Sequence, residues 1–289
     1  MTVIRLRHFL HPVRSAKSLY SRVRAKSERL RAERALSRMR RGSRDSCWCG
    51  GSLIEFKSQP KYGICRECGC YVNRTPPLPE ELSRLYSFDF YWHTLQKHRG
   101  HPEIEERTSY DKSDGRVEYW LSVLSTCDLP GKRVLEVGCA HGVLLRELAE
   151  RGYQCAGIEV DPITAKWAAE KTGLPIHAGI FPGVRAPDCD LFLSLDVLEH
   201  SISPEGFLRE AARLLSPHGI AIIQTPIDFQ DRDPPFGDMF EKSFDDSQHL
   251  FVFSRKSIRM LAERVGLAFR SEYQLAPAQE IVVLEKLAD

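Results

Sequence analysis

From Arg133 to the end of the chain, short apolar runs alternate with stretches in which apolar residues recur every three or four positions. Runs at Arg133–Val137, Gln154–Val160, Pro175–Gly179, Asp190–Leu198, Gly219–Pro226, Phe269–Leu275 and Glu280–Leu287 read as strands. The stretches between them read as amphipathic helices, and an alternation of this kind predicts an open, mainly parallel α/β sheet. Helix punctuation agrees with the pattern. Ser203-Pro204 supplies a cap and a first-turn proline ahead of Phe207, Leu208, Ala211 and Leu214. Ser254 precedes Ile258, Leu261 and Val265, and Gly266 ends that helix.

The 130 residues before this region divide into three further pieces. Residues 1–46 form a basic helical arm, with Leu19, Tyr20, Val23, Leu30 and Leu36 at roughly helical spacing between arginines. Residues 47–75 carry Cys47-Trp-Cys49-Gly-Gly and Cys65-Arg-Glu-Cys68-Gly-Cys70. Two close cysteine pairs about 15 residues apart have the spacing of a tetrahedral thiolate zinc site, so Cys47, Cys49, Cys65 and Cys68 are the expected ligands. Free or redox cysteines are the alternative, and Cys70 could stand in for Cys68. So short a segment with few large apolar residues lacks a core of its own, and metal would supply the missing stability. Residues 76–130 are a linker and helical lid, opening with Pro76-Pro77-Leu78-Pro79 and followed by the aromatic run Tyr86 to Trp92. That run is either a cover over a ligand or the glue between the cysteine module and residues 131–289.

Composition removes several function classes. Of 289 residues, 42% are hydrophobic and 28% charged, enough for a packed core and too apolar for wholesale disorder. No apolar run approaches the ~18 residues that cross a bilayer, and the start of the chain lacks a secretory signal pattern. Nine cysteines, odd in number and unevenly spread, argue for a reducing, cytoplasmic setting over a disulfide scaffold. Net charge is +2, but residues 1–46 hold 14 Lys and Arg against 3 Asp and Glu, and the remainder holds 27 against 36. The arm therefore attracts anions while the body repels them, which leaves a membrane surface, a protein or a nucleic acid as possible partners of the arm.

The most informative string is Leu135-Glu136-Val137-Gly138-Cys139-Ala140-His141-Gly142. A buried strand turns through small residues into a helix, so a ligand can meet backbone amides at a helix N-terminus. Glu159 closes the second strand, where a carboxylate can accept both hydroxyls of a ribose. A dinucleotide fingerprint would need a small residue at Val143. Instead Glu136, Gly138, Ala140 and Gly142 are spaced by two. This resembles the E/D-x-G-x-G-x-G loop of class I S-adenosylmethionine (SAM)-dependent methyltransferases, with Ala140 at the middle glycine. Leu195-Asp196-Val197-Leu198-Glu199-His200 is similar to that family's D-x-L-E-H string. Leu214-Leu215-Ser216-Pro217-His218-Gly219 is similar to its L-x-P-G-G turn, and Gln248-His249-Leu250-Phe251-Val252-Phe253-Ser254 to the start of its next helix. The cysteine-rich front end resembles that of methyltransferases encoded with bacterial glycan and natural-product pathways.

The resemblance implies a Rossmann-like, seven-stranded α/β sheet. It places Glu136, Gly138, Cys139, Ala140 and Gly142 against the methionine part of SAM, and Glu159 on the ribose. Val160, Gly179 and Ile180 would lie against the adenine, with Asp196 and Val197 near the transferred methyl. A hydroxyl acceptor must also lose a proton, a task that suits histidine. His249 and His200 are the candidates, with Tyr91 and His93 behind them; His249 could instead pin the loop 227–248 to the helix that starts at Ser254. The segment 227–248, rich in aspartates, could bind a polyhydroxyl ligand. The expected activity is methylation of a small molecule or glycan. The alternatives are an RNA or protein methyltransferase gripping its substrate with the arm and the zinc module, or a silent SAM-binding scaffold.

Overall fold

A computed structural model describes residues 29–228, 243–276 and 279–288. Most of the basic arm, and Asp231, Asp233 and Asp238, lie outside the described residues.

In the cysteine module, β1 (Leu53–Glu55), β2 (Tyr62–Cys65) and β3 (Tyr71–Asn73) form an antiparallel meander. Four helices follow. The first, α1 (Pro79–Leu85), begins on its proline. The aromatic run then makes one continuous helix, α2, over residues 88–98, with a π-helical turn at Tyr91–Leu95. Next come α3 (Ile104–Ser113) and α4 (Arg116–Leu124). The alternating region contains β4 (Arg133–Val137), α5 (Val143–Glu150), β5 (Gln154–Glu159), α6 (Pro162–Thr172), β6 (Ile176–Ala178) and β7 (Cys189–Leu195). It continues with α7 (Pro204–Leu214), β8 (Leu215–Thr225), β9 (Ile227–Asp228), β10 (Phe251–Ser254), α8 (Arg255–Arg264), β11 (Leu267–Ala276) and β12 (Gln279–Lys286).

The large sheet has the order β11-β12-β8-β7-β4-β5-β6. Its pairings are parallel from β8 to β6, and β12 and β11 close the other edge antiparallel. This is the expected Rossmann-like seven-stranded sheet. Alternation along each strand decides the two faces. Leu135, Phe192, Ala221 and Ile223 enter one buried cluster, whereas Val134, Leu191, Leu193, Ile220 and Ile222 enter the other.

Three expectations about elements need correction. The fourth strand stops at Leu195 rather than Leu198, because Asp196 takes φ +56° and Leu198–His200 coil into a 3₁₀ turn. The turn before the fifth strand lies inside β8, where His218 at φ +61° makes an irregularity and Leu215 already pairs with Cys189. Phe251–Ser254, read as the entry to the next helix, is a strand up to the capping Ser254, and the helix follows at Arg255. The strand pairs antiparallel with β3 of the cysteine module and parallel with β9.

That last pairing matters most. It joins the module and the residues after the large sheet into one five-stranded sheet, β1-β2-β3-β10-β9. Cys47, Cys65, Cys68, Cys70 and Val72 share a single buried cluster with Phe251, Phe253 and Ile258. Ser254 links the two parts again, capping α8 through Ser257 and donating its hydroxyl to the Cys68 carbonyl at 2.7 Å. The near end of the basic arm is likewise spent on the body. Arg40 pairs with Glu80 and Glu81, Arg41 with Asp246, and Arg44 stacks over the Phe251 ring. Arg40 and Arg41 are thus paired with carboxylates of the body.

Candidate active site

The loop from β4 to α5 is bent by three residues at positive φ: Gly138 (72°), Ala140 (50°) and Gly142 (74°). A Cβ added at Gly138 would stand 2.4 Å from the Val197 side chain, so only glycine lets the β4 and β7 ends approach. The amides of Gly138 and Cys139 donate to the Ile158 carbonyl at 2.8 and 3.1 Å. Glu159, at the end of β5, accepts the Ala140 amide on one oxygen and the Val160 and Asp161 amides on the other, at 2.9, 2.9 and 3.3 Å. Burial raises its carboxyl despite these amides. Glu136 is buried beside it. Desolvation, then the Glu159 charge, push Glu136 up to about 8, and its Oε2 has no hydrogen-bond partner among the described residues.

These features fit SAM, the expected cofactor of this fold. An orphaned buried carboxyl oxygen beside a turn whose glycines allow close approach is what a polar ligand lying on the loop would use. Val160 and Ile180 flank the same side, Ile180 exposed and Gly179 at φ +151° with its amide on the Glu159 carbonyl.

Helices upstream roof the loop. Trp92, on the π-helical turn, is buried, donates to Thr164 Oγ1 at 3.2 Å and meets the His141 ring edge-on at 6.2 Å. His141 lies 3.3 Å from Asp111, itself held by Arg107. Burial, with Arg107 and Arg116 nearby, pushes this imidazole down to about 3, so it is neutral. The aromatic run thus contacts the loop directly. Trp92 belongs to the aromatic run read as a possible cover over a ligand, whereas nothing in the local pattern marked Arg107 or Asp111.

Beyond β7, Asp196 takes φ +56° and is exposed, and the desolvating surroundings of its carboxyl raise it. Gln224 donates to its Oδ1 at 2.9 Å and in turn accepts from Trp120 at 2.8 Å. Next to it the structure brings His200 and His249 together, ring centroids 5.0 Å apart. His200 Nδ1 lies 3.1 Å from the Gln248 carbonyl and His249 Nδ1 2.6 Å from the Ser243 carbonyl. A carbonyl only accepts, so each Nδ1 carries the proton and each Nε2 is left as an acceptor. Burial lowers both imidazoles, His200 to about 3. Tyr86 stands over His200 at 5.8 Å and Tyr91 over Tyr86 at 5.6 Å. His93 instead turns to Glu103, away from this group.

Of the aspartates in the segment 227–248, the three described ones have partners within the protein. Asp228 accepts from Tyr71, Asp245 pairs with Arg99, and Asp246 with Arg41 and Lys61. All three are engaged in holding the chain together rather than offered to a polyhydroxyl ligand.

The four cysteines expected as ligands converge. Cys47 and Cys68 sulfurs lie 3.6 Å apart, and Cys49 lies 3.5 Å from both Cys65 and Cys68. Disulfides need about 2.05 Å, whereas a tetrahedron with bonds of about 2.3 Å separates sulfurs by about 3.8 Å. The spacing suits a metal. A Cβ on Gly51 would stand 2.6 Å from Cys65 Sγ. Cys70 turns away toward the Val252 carbonyl and is not in the group.

Comparison with known proteins agrees with the fold. A family model described as a methyltransferase domain matches residues 103–272. A ubiquinone biosynthesis O-methyltransferase of Azorhizobium caulinodans is 31% identical over 104 residues, covering 34% of this chain and 41% of that protein. The enzyme of the same name from Rhodopseudomonas palustris is 33% identical over 128 residues, covering 41% and 49%. This chain thus spans less than half the length of these curated relatives. Human N-acetylserotonin methyltransferase in complex with SAM superposes with a TM-score of 0.51 at 16% identity, covering 64% of this chain and 55% of that one. A structure of the complex between the Haloferax volcanii Trm112 methyltransferase activator and the putative methyltransferase gives 0.52 at 15%, covering 64% and 94%. Among the described residues, no helix is long and apolar enough to cross a membrane.

Proposed function

This chain belongs to the methyltransferase domain family, whose model spans more than half of it, and from that premise we propose that it is a SAM-dependent O-methyltransferase acting on a small molecule or glycan. One observation carries the reading of an oxygen acceptor: two neutral imidazoles, His200 and His249, hold unprotonated Nε2 atoms beside Asp196. The relatives named as O-methyltransferases support it.

In this reading the methionine part of SAM packs against the turn of Gly138, Cys139, Ala140 and Gly142, whose own amides are spent on Ile158, Glu159 and Cys139. Glu136 receives its polar head, Glu159 the ribose, and Val160, Gly179 and Ile180 the adenine. Asp196 and Val197 border the methyl. When bound, SAM supplies a methyl on a positively charged sulfur, so an acceptor oxygen forms the new bond as the sulfur–carbon bond breaks. The protein's part is alignment and removal of the acceptor's proton. His249 Nε2 takes that proton, with His200 beside it and the Tyr86–Tyr91 pair walling the acceptor.

The four cysteines hold zinc in this reading, and the metal has a structural task. Tyr62 and Asn73 of the module donate to the main chain at His249, so an ordered module keeps His249 in place. The test is transfer from labelled SAM to fractionated hydroxyl-bearing metabolites and glycans. Label should appear as an alkali-stable methyl ether and fall at least about 100-fold in His249→Ala, the scale of a lost general base, with SAM affinity within twofold. Label on nitrogen or on RNA would overturn it.

A further inference from the structure

We propose a second metal centre, distinct from the cysteine site: a divalent transition-metal ion held by Nε2 of His200, Nε2 of His249 and Oε1 of Glu199. The argument begins with hydrogen-bond bookkeeping. Both Nδ1 atoms are committed to backbone carbonyls, of Gln248 and Ser243. Glu199 is 1% exposed, and its Oε2 accepts the Thr225 hydroxyl at 2.8 Å. What remains are three acceptors, two imidazole nitrogens and one carboxylate oxygen, on residues whose ligand atoms, one from each, lie within 4.8 Å of one another.

A shared proton does not explain the arrangement. His200 Nε2 and Glu199 Oε1 are 3.8 Å apart, too far for a hydrogen bond. That separation is what two ligands on one cation have, each at about 2.0–2.2 Å. Three atoms mutually within 4.8 Å lie at most about 2.8 Å from a common centre, so small side-chain rotations close the set. The carbonyls behind the two histidines are the outer contacts that fix tautomer and ring orientation in metal sites. Two imidazoles and one carboxylate suit manganese, iron(II), cobalt or zinc, and leave coordination positions open.

Tyr86 lies 5.8 Å from the His200 ring, and its buried hydroxyl has no partner among the described residues. With the ion bound, the His249 Nε2 lone pair is spent on the metal rather than on the acceptor's proton; an acceptor oxygen on the ion would satisfy the Tyr86 hydroxyl, be acidified by the metal and give its proton to solvent. This use of the ion rests on the proposed hydroxyl acceptor; the binding of the ion does not.

The experiment is titration of the isolated, zinc-loaded protein with Mn²⁺, read by electron paramagnetic resonance. Mn²⁺ prefers oxygen and nitrogen ligands and leaves thiolate sites to zinc. The expected result is one saturable Mn²⁺ per chain, weakened at least tenfold in Glu199→Gln and in His249→Gln. In the Glu199→Gln protein the thiolate-bound zinc and SAM affinity should be retained, which shows that the fold survives. Absence of saturable binding in the wild type, or binding in either variant as tight as in the wild type, overturns the proposal. Mn²⁺ binding without methylation of any hydroxyl would leave the metal site standing and overturn the acceptor reading. Full methylation without Mn²⁺ binding would do the reverse.

Discussion

The side-chain amide of Asn73 donates to the main-chain carbonyl of His249 at 3.2 Å, across 176 positions of sequence. The same amide reaches the Asp246 carbonyl at 3.1 Å, and Tyr62 donates to the His249 carbonyl at 2.9 Å. A fully buried asparagine of the cysteine module therefore sets the backbone of a candidate catalytic residue.

Asn73→Ala should cost about 1–3 kcal/mol of stability, because two buried carbonyls lose a donor. The turnover of acceptor should fall while SAM affinity stays within twofold. Denaturant unfolding and calorimetry on one preparation check both, and a loss confined to SAM binding would contradict the coupling.

Gly138→Ala should weaken SAM at least tenfold. The new methyl would press on Val197 at 2.4 Å in a backbone already at φ +72°. Ala140→Gly should go the other way for stability, by up to about 1 kcal/mol, since Ala140 sits at φ +50°. Thermal shifts with and without SAM separate the two effects.

Glu159→Gln replaces an acceptor of three amides by a group with one accepting oxygen. SAM affinity should drop by about 1–3 kcal/mol, the scale of hydrogen bonds to a charged acceptor. Unchanged affinity by calorimetry would show that the ribose is held elsewhere.

Stability should fall in acid through Asp190. The Arg133 side chain, with help from the Arg133 amide and Ser216, holds this carboxyl down to about 2 against burial. A depressed carboxyl stabilises the fold above its unfolded value of about 4, and that contribution is lost as pH falls toward 2. Melting temperature measured from pH 5 to pH 2 should decline less steeply in Asp190→Asn, which starts lower.

Metal analysis should find thiolate-bound zinc at one per chain, absent in Cys68→Ser. Because β3 pairs with β10, loss of that metal should expose amides of Phe251 and Val252 as well as the module. Hydrogen exchange on chelator-treated protein reads this directly, and protection unchanged at 251–254 would refute the link.

The large sheet and the SAM loop were legible from the chain because both are written in local pattern. Apolar runs with period two set the strands, and the spacing of Glu136, Gly138, Ala140 and Gly142 marks a turn whose chemistry is its backbone. The pairing of His200 with His249, the roof of Trp92 over His141, and the sheet shared by Tyr71 and Val252 carry no such mark. Each joins residues between about fifty and two hundred positions apart, so no periodicity encodes it. What the chain determined by itself was which residues could form strands, helices and thiolate ligands. Only the folded state decided which of them meet, since strand pairing and burial are satisfied across the whole molecule at once. That is why a segment expected to open a helix became the strand that binds the cysteine module to the active site.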